Sequence, residues 1–240
     1  MWYNPFAMKR FVFVFAFFLF FSTLCFAQSY KQSAEVFVDF NTQQGFDPSP
    51  FSISGVYDIH SRRFDAEGGI KAGTEDLQLT LQASYRFIRR DKLTLGTGVI
   101  YNLNLFYKYS ISSNFLPGFY LTWRPCPFYS LNLDIDLFLK IRSVFALQEV
   151  LPNLLNTTMA FRFRNDFYLP KNINLYLEIA SIEKFRYMIL CAPSFVLGGN
   201  FSINQSFDVV AEVAVHYIDF FTLSANYEDT EFRAGVRFKW

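Results

Sequence analysis

Histidine is scarce in this chain, with His60 and His216 the two in 240 residues. Neither belongs to an H-E-x-x-H pair, no serine sits in G-x-S-x-G, and no cluster has zinc-ligand spacing. The hydrolases and zinc enzymes that carry those motifs are thereby excluded, and no cofactor or metal is expected. Cysteine is scarce too, at Cys25, Cys126 and Cys191. Charged residues make up 18% and nearly cancel to a net +1, so the chain lacks the basic footprint of a nucleic-acid binder. Beyond residue 27 no apolar run reaches the roughly 18 residues of a transmembrane helix. If such a chain enters a membrane, it must do so as a closed barrel, which satisfies its own backbone hydrogen bonds in lipid.

What the chain has is aromatic residues, 20% of the total with 32 Phe and 14 Tyr, and alternation. The clearest stretch is Tyr129–Arg142. Leu131, Leu133, Ile135, Leu137, Leu139 and Ile141 occupy one set of alternate positions. Ser130, Asn132, Asp134, Asp136, Lys140 and Arg142 occupy the other, with Phe138 the one intruder. A strand sends successive side chains to opposite faces, so this segment has one oily face and one charged face. Its length also exceeds the roughly five or six residues of an ordinary strand. A barrel strand that crosses a bilayer needs about nine to eleven.

The first 27 residues read differently. Lys9 and Arg10 precede an apolar core that ends at Ala27, the pattern of a cleaved signal peptide. The remaining 28–240 read as one barrel domain. Alternation predicts strands at Ala34–Asn41, Phe51–His60, Arg63–Gly73, Asp76–Ile88, Leu93–Tyr107 and Asn114–Arg124. It continues with Tyr129–Arg142, Leu155–Leu169, Asn172–Ile182, Tyr187–Ile203, Phe207–Tyr217 and Phe232–Trp240. Pro117 predicts a bulge or a late start in its strand, because proline cannot donate to a ladder. Glu228–Glu231 reads as loop. The fold class is all-β: a transmembrane antiparallel up-and-down barrel of about twelve strands, or about ten if residues 51–73 form an outer loop. Short turns at 89–92 and 125–128 are expected in the periplasm, and the longer connections 144–152 and 219–230 outside. Cys126 and Cys191 then lie a membrane thickness apart and stay free thiols.

Two groups of charge fall on the polar faces. The first is a lumen ladder of Asp134, Asp136, Lys140, Arg142, Arg162, Arg164 and Glu178. The expected register sets Asp136 near Arg162, Asp134 near Arg164 and Glu178 near Arg164. Such a ladder acts as a constriction that selects solutes by charge, or as salt bridges that fill a narrow barrel. The second group joins Asp208, Glu212, Arg233, Arg237 and Lys239 to Glu35 and Asp39 across the closing seam, as cross-strand pairs that set register. His216, with Asp219 and Ser224 nearby in sequence, is the single opening for a lipid-hydrolysing reading.

Leader, amphipathic strands, aromatic strand ends and the terminal FRAGVRFKW together resemble a Gram-negative-type outer-membrane β-barrel protein. The likeness covers the whole chain after the leader and is one of architecture; no stretch matches one family. It implies contact with outer-membrane lipid. It also implies that Phe232, Phe238 and Trp240 form the carboxy-terminal signal read by barrel-assembly machinery. The small oligosaccharide-specific porins have a similar length, but their lumens are basic and this one is mixed, so their substrate does not carry over. The function expected is a narrow porin or channel for small hydrophilic solutes, or a structural surface barrel. The alternative is a barrel-embedded enzyme acting on outer-membrane lipid. A soluble barrel would bury the apolar faces instead of exposing them.

Overall fold

A computed structural model describes residues 30–42, 50–74, 76–106, 110–144, 156–186, 192–218 and 227–240. The leader, and with it the signal-peptide reading, lies outside the described residues. The first six strands are β1 (Lys31–Asn41), β2 (Phe51–His60), β3 (Phe64–Gly73), β4 (Asp76–Arg89), β5 (Leu93–Phe106) and β6 (Ser110–Cys126). The second six are β7 (Tyr129–Val144), β8 (Asn156–Leu169), β9 (Ile173–Ala180), β10 (Ser194–Asn204), β11 (Phe207–Tyr217) and β12 (Tyr227–Lys239). Each lies beside its neighbours in sequence, and β1 closes on β12, giving one antiparallel up-and-down barrel of twelve strands. Both β2 and β3 are wall strands, so the ten-strand alternative fails.

The alternation decides which face is which. On β1, Val36, Val38 and Phe40 are about half exposed, while Glu35, Phe37 and Asp39 are at most 3% exposed. The same holds round the wall: Leu81, Phe119, Ile135, Met159, Leu177 and Leu197 all point out. An exterior this apolar would be a continuous sticky patch in water and suits hydrocarbon instead. The soluble-barrel alternative, which needs the oily face inside, is excluded.

One end of the barrel carries only tight connections: 61–63, 90–92, 127–128, 170–172 and 205–206. There Arg90 and Leu93 exchange backbone hydrogen bonds at 2.8 and 3.3 Å, closing a two-residue turn. Lys171 and Asn172 take φ of 65° and 60°, the left-handed pair on which a primed hairpin turn is built. Trp240 exchanges backbone hydrogen bonds of 3.1 Å with Gln32 at this same end. The opposite, long-loop end carries the wide connections.

Three sequence expectations need correction. Pro117 causes neither a late start nor a bulge. It stands opposite Val99, and the β6–β7 ladder passes from Phe115–Leu139 to Gly118–Asp136 in unchanged register, omitting two pairs. Glu228–Glu231 is not loop but the start of β12. The strands expected over Asn172–Ile182 and Tyr187–Ile203 are shorter, because the chain leaves the wall after Ala180 and rejoins it at Ser194.

Candidate functional site

The chain leaves the wall by turning into the lumen. Ser181 is still tied to β8, its N–H donating to the Phe161 carbonyl at 2.9 Å. The Glu183 N–H then donates to the Arg186 carbonyl at 2.8 Å and closes a turn. Ile182, at the head of this turn, enters an apolar cluster with Ile100, Leu116, Phe138 and Ala160, none more than 6% exposed. Those four come from β5, β6, β7 and β8, all on the inward face. Phe138, the intruder on the polar side of β7, is therefore the seat for an apolar side chain inside the barrel. Phe185 lies against Val56 and Gly69; a Cβ on Gly69 would stand 2.9 Å from the Phe185 ring, so only glycine leaves room for it.

Charge anchors the same segment on the other side. Lys184 pairs with Glu35 on β1, its ammonium 4.8 Å from the centre of the Phe37 ring. Arg186 pairs with Glu228 and, at 3.4 Å, with Asp229 on β12. Glu183 accepts from His216 Nε2 at 2.9 Å, while Nδ1 of the same ring meets Asp229. Burial alone pushes the Glu183 carboxyl up. The charge and hydrogen bond of His216, with help from Arg186 and Ser194, outweigh this and hold it well below the usual carboxylate range. The turn thus touches β1, β3, the β5–β8 wall, β11 and β12. Among the described residues it reaches opposite walls of the lumen, as a plug.

The plug rests on a seam of buried pairs. Arg233 donates to Asp39 at 2.7 Å, Glu212 at 2.8 Å and Glu231 at 3.0 Å. Lys71 reaches Glu231 at 3.3 Å, Arg237 pairs with Glu35, and Lys239 with Asp208 at 2.6 Å. The closing-seam set meets as alternation suggested, with Asp39 opposite Arg233 and Glu35 opposite Arg237. Glu183, His216 and Glu231 have ligand atoms within 4.8 Å of one another, a grouping the sequence did not reveal. A metal ion there would have to displace Lys71 and Arg233 from Glu231 and break the His216–Glu183 bond, so the group does not fit a metal.

Toward the short-turn end the lumen opens into a vestibule of about 750 Å³. A smaller recess of about 180 Å³ reaches the plug at Glu183 and Lys184. The ladder residues Asp134, Asp136, Arg162 and Arg164 line the vestibule, and Glu178 lines the recess. Glu178 stands opposite Arg164 as expected, but the register between β7 and β8 differs from expectation by two residues. Asp134, not Asp136, stands opposite Arg162, and Asn132 stands opposite Arg164. Asp134 pairs with Arg162 at 3.3 Å; Arg164 pairs with Asp166 at 2.9 Å and with Glu178 at 3.8 Å. Loop length between β7 and β8 sets this register, and alternation alone cannot distinguish shifts of two. Lys140 and Arg142 lie on β7, but their side chains are outside the described residues.

The two histidines are far apart in role. His60 is half exposed at the short-turn end, 3.0 Å from Asp65. His216 is 1% exposed with both ring nitrogens held by carboxylates. Asp219 and Ser224, its expected companions, lie outside the described residues, as does Cys191. Cys126 is a free thiol.

No protein-family profile matches the chain, and no curated protein is significantly similar to it in sequence. Solved structures are similar in fold. The KdgM porin, also solved in complex with disordered oligogalacturonate, superposes with a TM-score of 0.59 at 12% identity, over 87% of this chain and 99% of that one. The NanC porin gives 0.60 at 11% identity, over 86% and 100%. Outer membrane phospholipase A from Escherichia coli gives 0.51 at 10% identity, over 86% and 92%. The fold is that of the outer-membrane β-barrels, with twelve strands, as the sequence led one to expect.

Proposed function

We propose that the protein is a narrow outer-membrane channel for small hydrophilic solutes, described here with its plug in place. The observation that carries this reading is the lumen itself. A water-sized path lined by Asp, Glu, Arg, Asn and Tyr runs inward from the short-turn end and stops at one six-residue turn, Ser181–Arg186, not at a solid core. A purely structural barrel has no need of such a vestibule. An enzyme acting on lipid needs a base facing the bilayer, whereas His216 faces the plug between two carboxylates. The reading is therefore non-enzymatic. Oligogalacturonate is not carried over from KdgM, because this lumen is mixed in charge.

The leader sends the chain to the outer membrane and is removed. The short turns face the periplasm and the long loops the exterior. Tyr85, Phe87, Trp123, Phe167, Phe238 and Trp240, exposed toward the short-turn end, form the aromatic girdle at that boundary. Phe232, Phe238 and Trp240 all face outward on β12 or its end, where assembly machinery can read them. Single-channel recording of refolded protein in planar bilayers tests the channel reading. Rare steps from the wild type and sustained steps from a plug-released variant are expected. Silence from both, with both barrels folded and inserted, overturns it.

A further inference from the structure

The innermost wall of the vestibule holds a carboxylate that no described residue meets with an ion pair. Asp136 is 7% exposed, lines the cavity and has no hydrogen bond or ion pair among the described residues. Its carboxylate lies over Gly118, in the space where any other residue would place a Cβ. The nearest cation on its wall, Arg162, is committed elsewhere. It reaches Asp134 at 3.3 Å, Glu178 at 3.7 Å and the Ile182 carbonyl at 3.2 Å. Asp134, two residues along the same face, adds a like charge. Tyr120 lines the same wall, its hydroxyl beside Ser84 and Arg86. Across the cavity Asp58 and Glu67 stand opposite each other on β2 and β3 and share a hydrogen bond; among the described residues neither has a cation within ion-pair distance.

Elsewhere the vestibule is balanced: Asp65 pairs with Arg86, and Asp166 with Arg164. Three carboxylates without an ion pair among the described residues, Asp58, Glu67 and Asp136, all line this cavity. A buried carboxylate is costly unless a counter-charge meets it. From these observations we infer that the inner vestibule binds a small cation, a metal ion or the ammonium group of an amine, with Asp136 as its principal ligand and Asp134 and Tyr120 beside it. This rests on the channel reading and deepens it: solutes that enter are selected for positive charge before they reach the plug.

The test is isothermal titration of the full barrel, refolded in detergent micelles, with calcium chloride and separately with 1,4-diaminobutane at neutral pH. Saturable binding of either is expected, and the arm that responds distinguishes metal from ammonium. Asp136→Asn keeps the shape, removes the charge and should weaken that binding at least tenfold. Asp208→Asn, at the seam outside the vestibule, should leave it within twofold. Absence of binding in both arms, as from a protonated Asp136, overturns the inference. So does equal binding by wild type and Asp136→Asn. Conductance recorded on the same preparations separates the two readings. A barrel that conducts without binding cations defeats the site, and one that binds cations without conducting defeats the channel.

Discussion

Replacing both Ile182 and Phe185 by alanine should open the lumen while leaving the wall intact. Each side chain is almost fully buried, at 0% and 4% exposure, and neither contributes to the strand ladders. Truncating a buried isoleucine costs about 2–5 kcal/mol and a phenylalanine about 3–5 kcal/mol. The two dock on different walls, Ile182 on β5–β8 and Phe185 on β2–β3, so their losses should nearly add. The sum is at least about 5 kcal/mol, and moving a two-state equilibrium from 1:99 to 99:1 takes about 5.5 kcal/mol. The plug should therefore go from mostly seated to largely released. Planar-bilayer recording should show sustained steps from the double variant where the wild type gives rare ones. Heat-modifiable migration in detergent gels should report a folded barrel for both. A folded double variant with wild-type currents would refute the view that this turn closes the lumen.

The remaining predictions concern pH, register and the two faces. Because the Glu183 pKa is depressed, its contribution to the plug is fully present above the ordinary carboxylate value and is lost only as pH falls toward the lower, folded value. Wild-type conductance should thus be flat from about pH 8 to about pH 5 and rise only below about pH 4. A rise centred near neutrality would contradict the assignment. Asp134→Ala and Arg162→Ala should be strongly non-additive in unfolding free energy, whereas Asp136→Ala and Arg162→Ala should nearly add. The opposite pattern would restore the register first expected from the sequence. Ile135→Arg places a cation in lipid and should cost about 2–4 kcal/mol in urea unfolding of reconstituted protein. Asn132→Arg, toward the vestibule, should cost much less, and equal costs would mean the faces are misassigned.

Strand positions and faces were legible because each wall residue has one oily and one wet option, and period-two alternation reports that choice directly. The plug was not. Ala180, Ser181 and Ile182 break the alternation of β9, with apolar residues on its wet face and a serine on its oily one, but a break of three residues at a strand end does not show that the chain turns inward. The available signals were Phe138 and Phe37, bulky apolar residues on faces otherwise polar, each marking a seat for something inside. The acidic run Glu228–Glu231 looked solvated because most of its partners, Lys71, Arg186 and His216, are distant in sequence. The β7–β8 register was beyond reach for a different reason: alternation fixes parity, and parity is the same at every even shift.

Arg233 has a further consequence for how the chain comes together. It lies on the last strand, yet three carboxylates on or beside β1, β11 and β12 depend on it. Without β12, Asp39 and Glu212 would lack the guanidinium that bridges them. A slip of one residue would send the guanidinium into hydrocarbon. A slip of two would carry it past Asp39 and strand buried acids at a cost of about 3–5 kcal/mol. The final strand therefore works as a key cut for a single notch: the barrel's two ends can meet in many ways by hydrogen bonding alone, and in one way by charge.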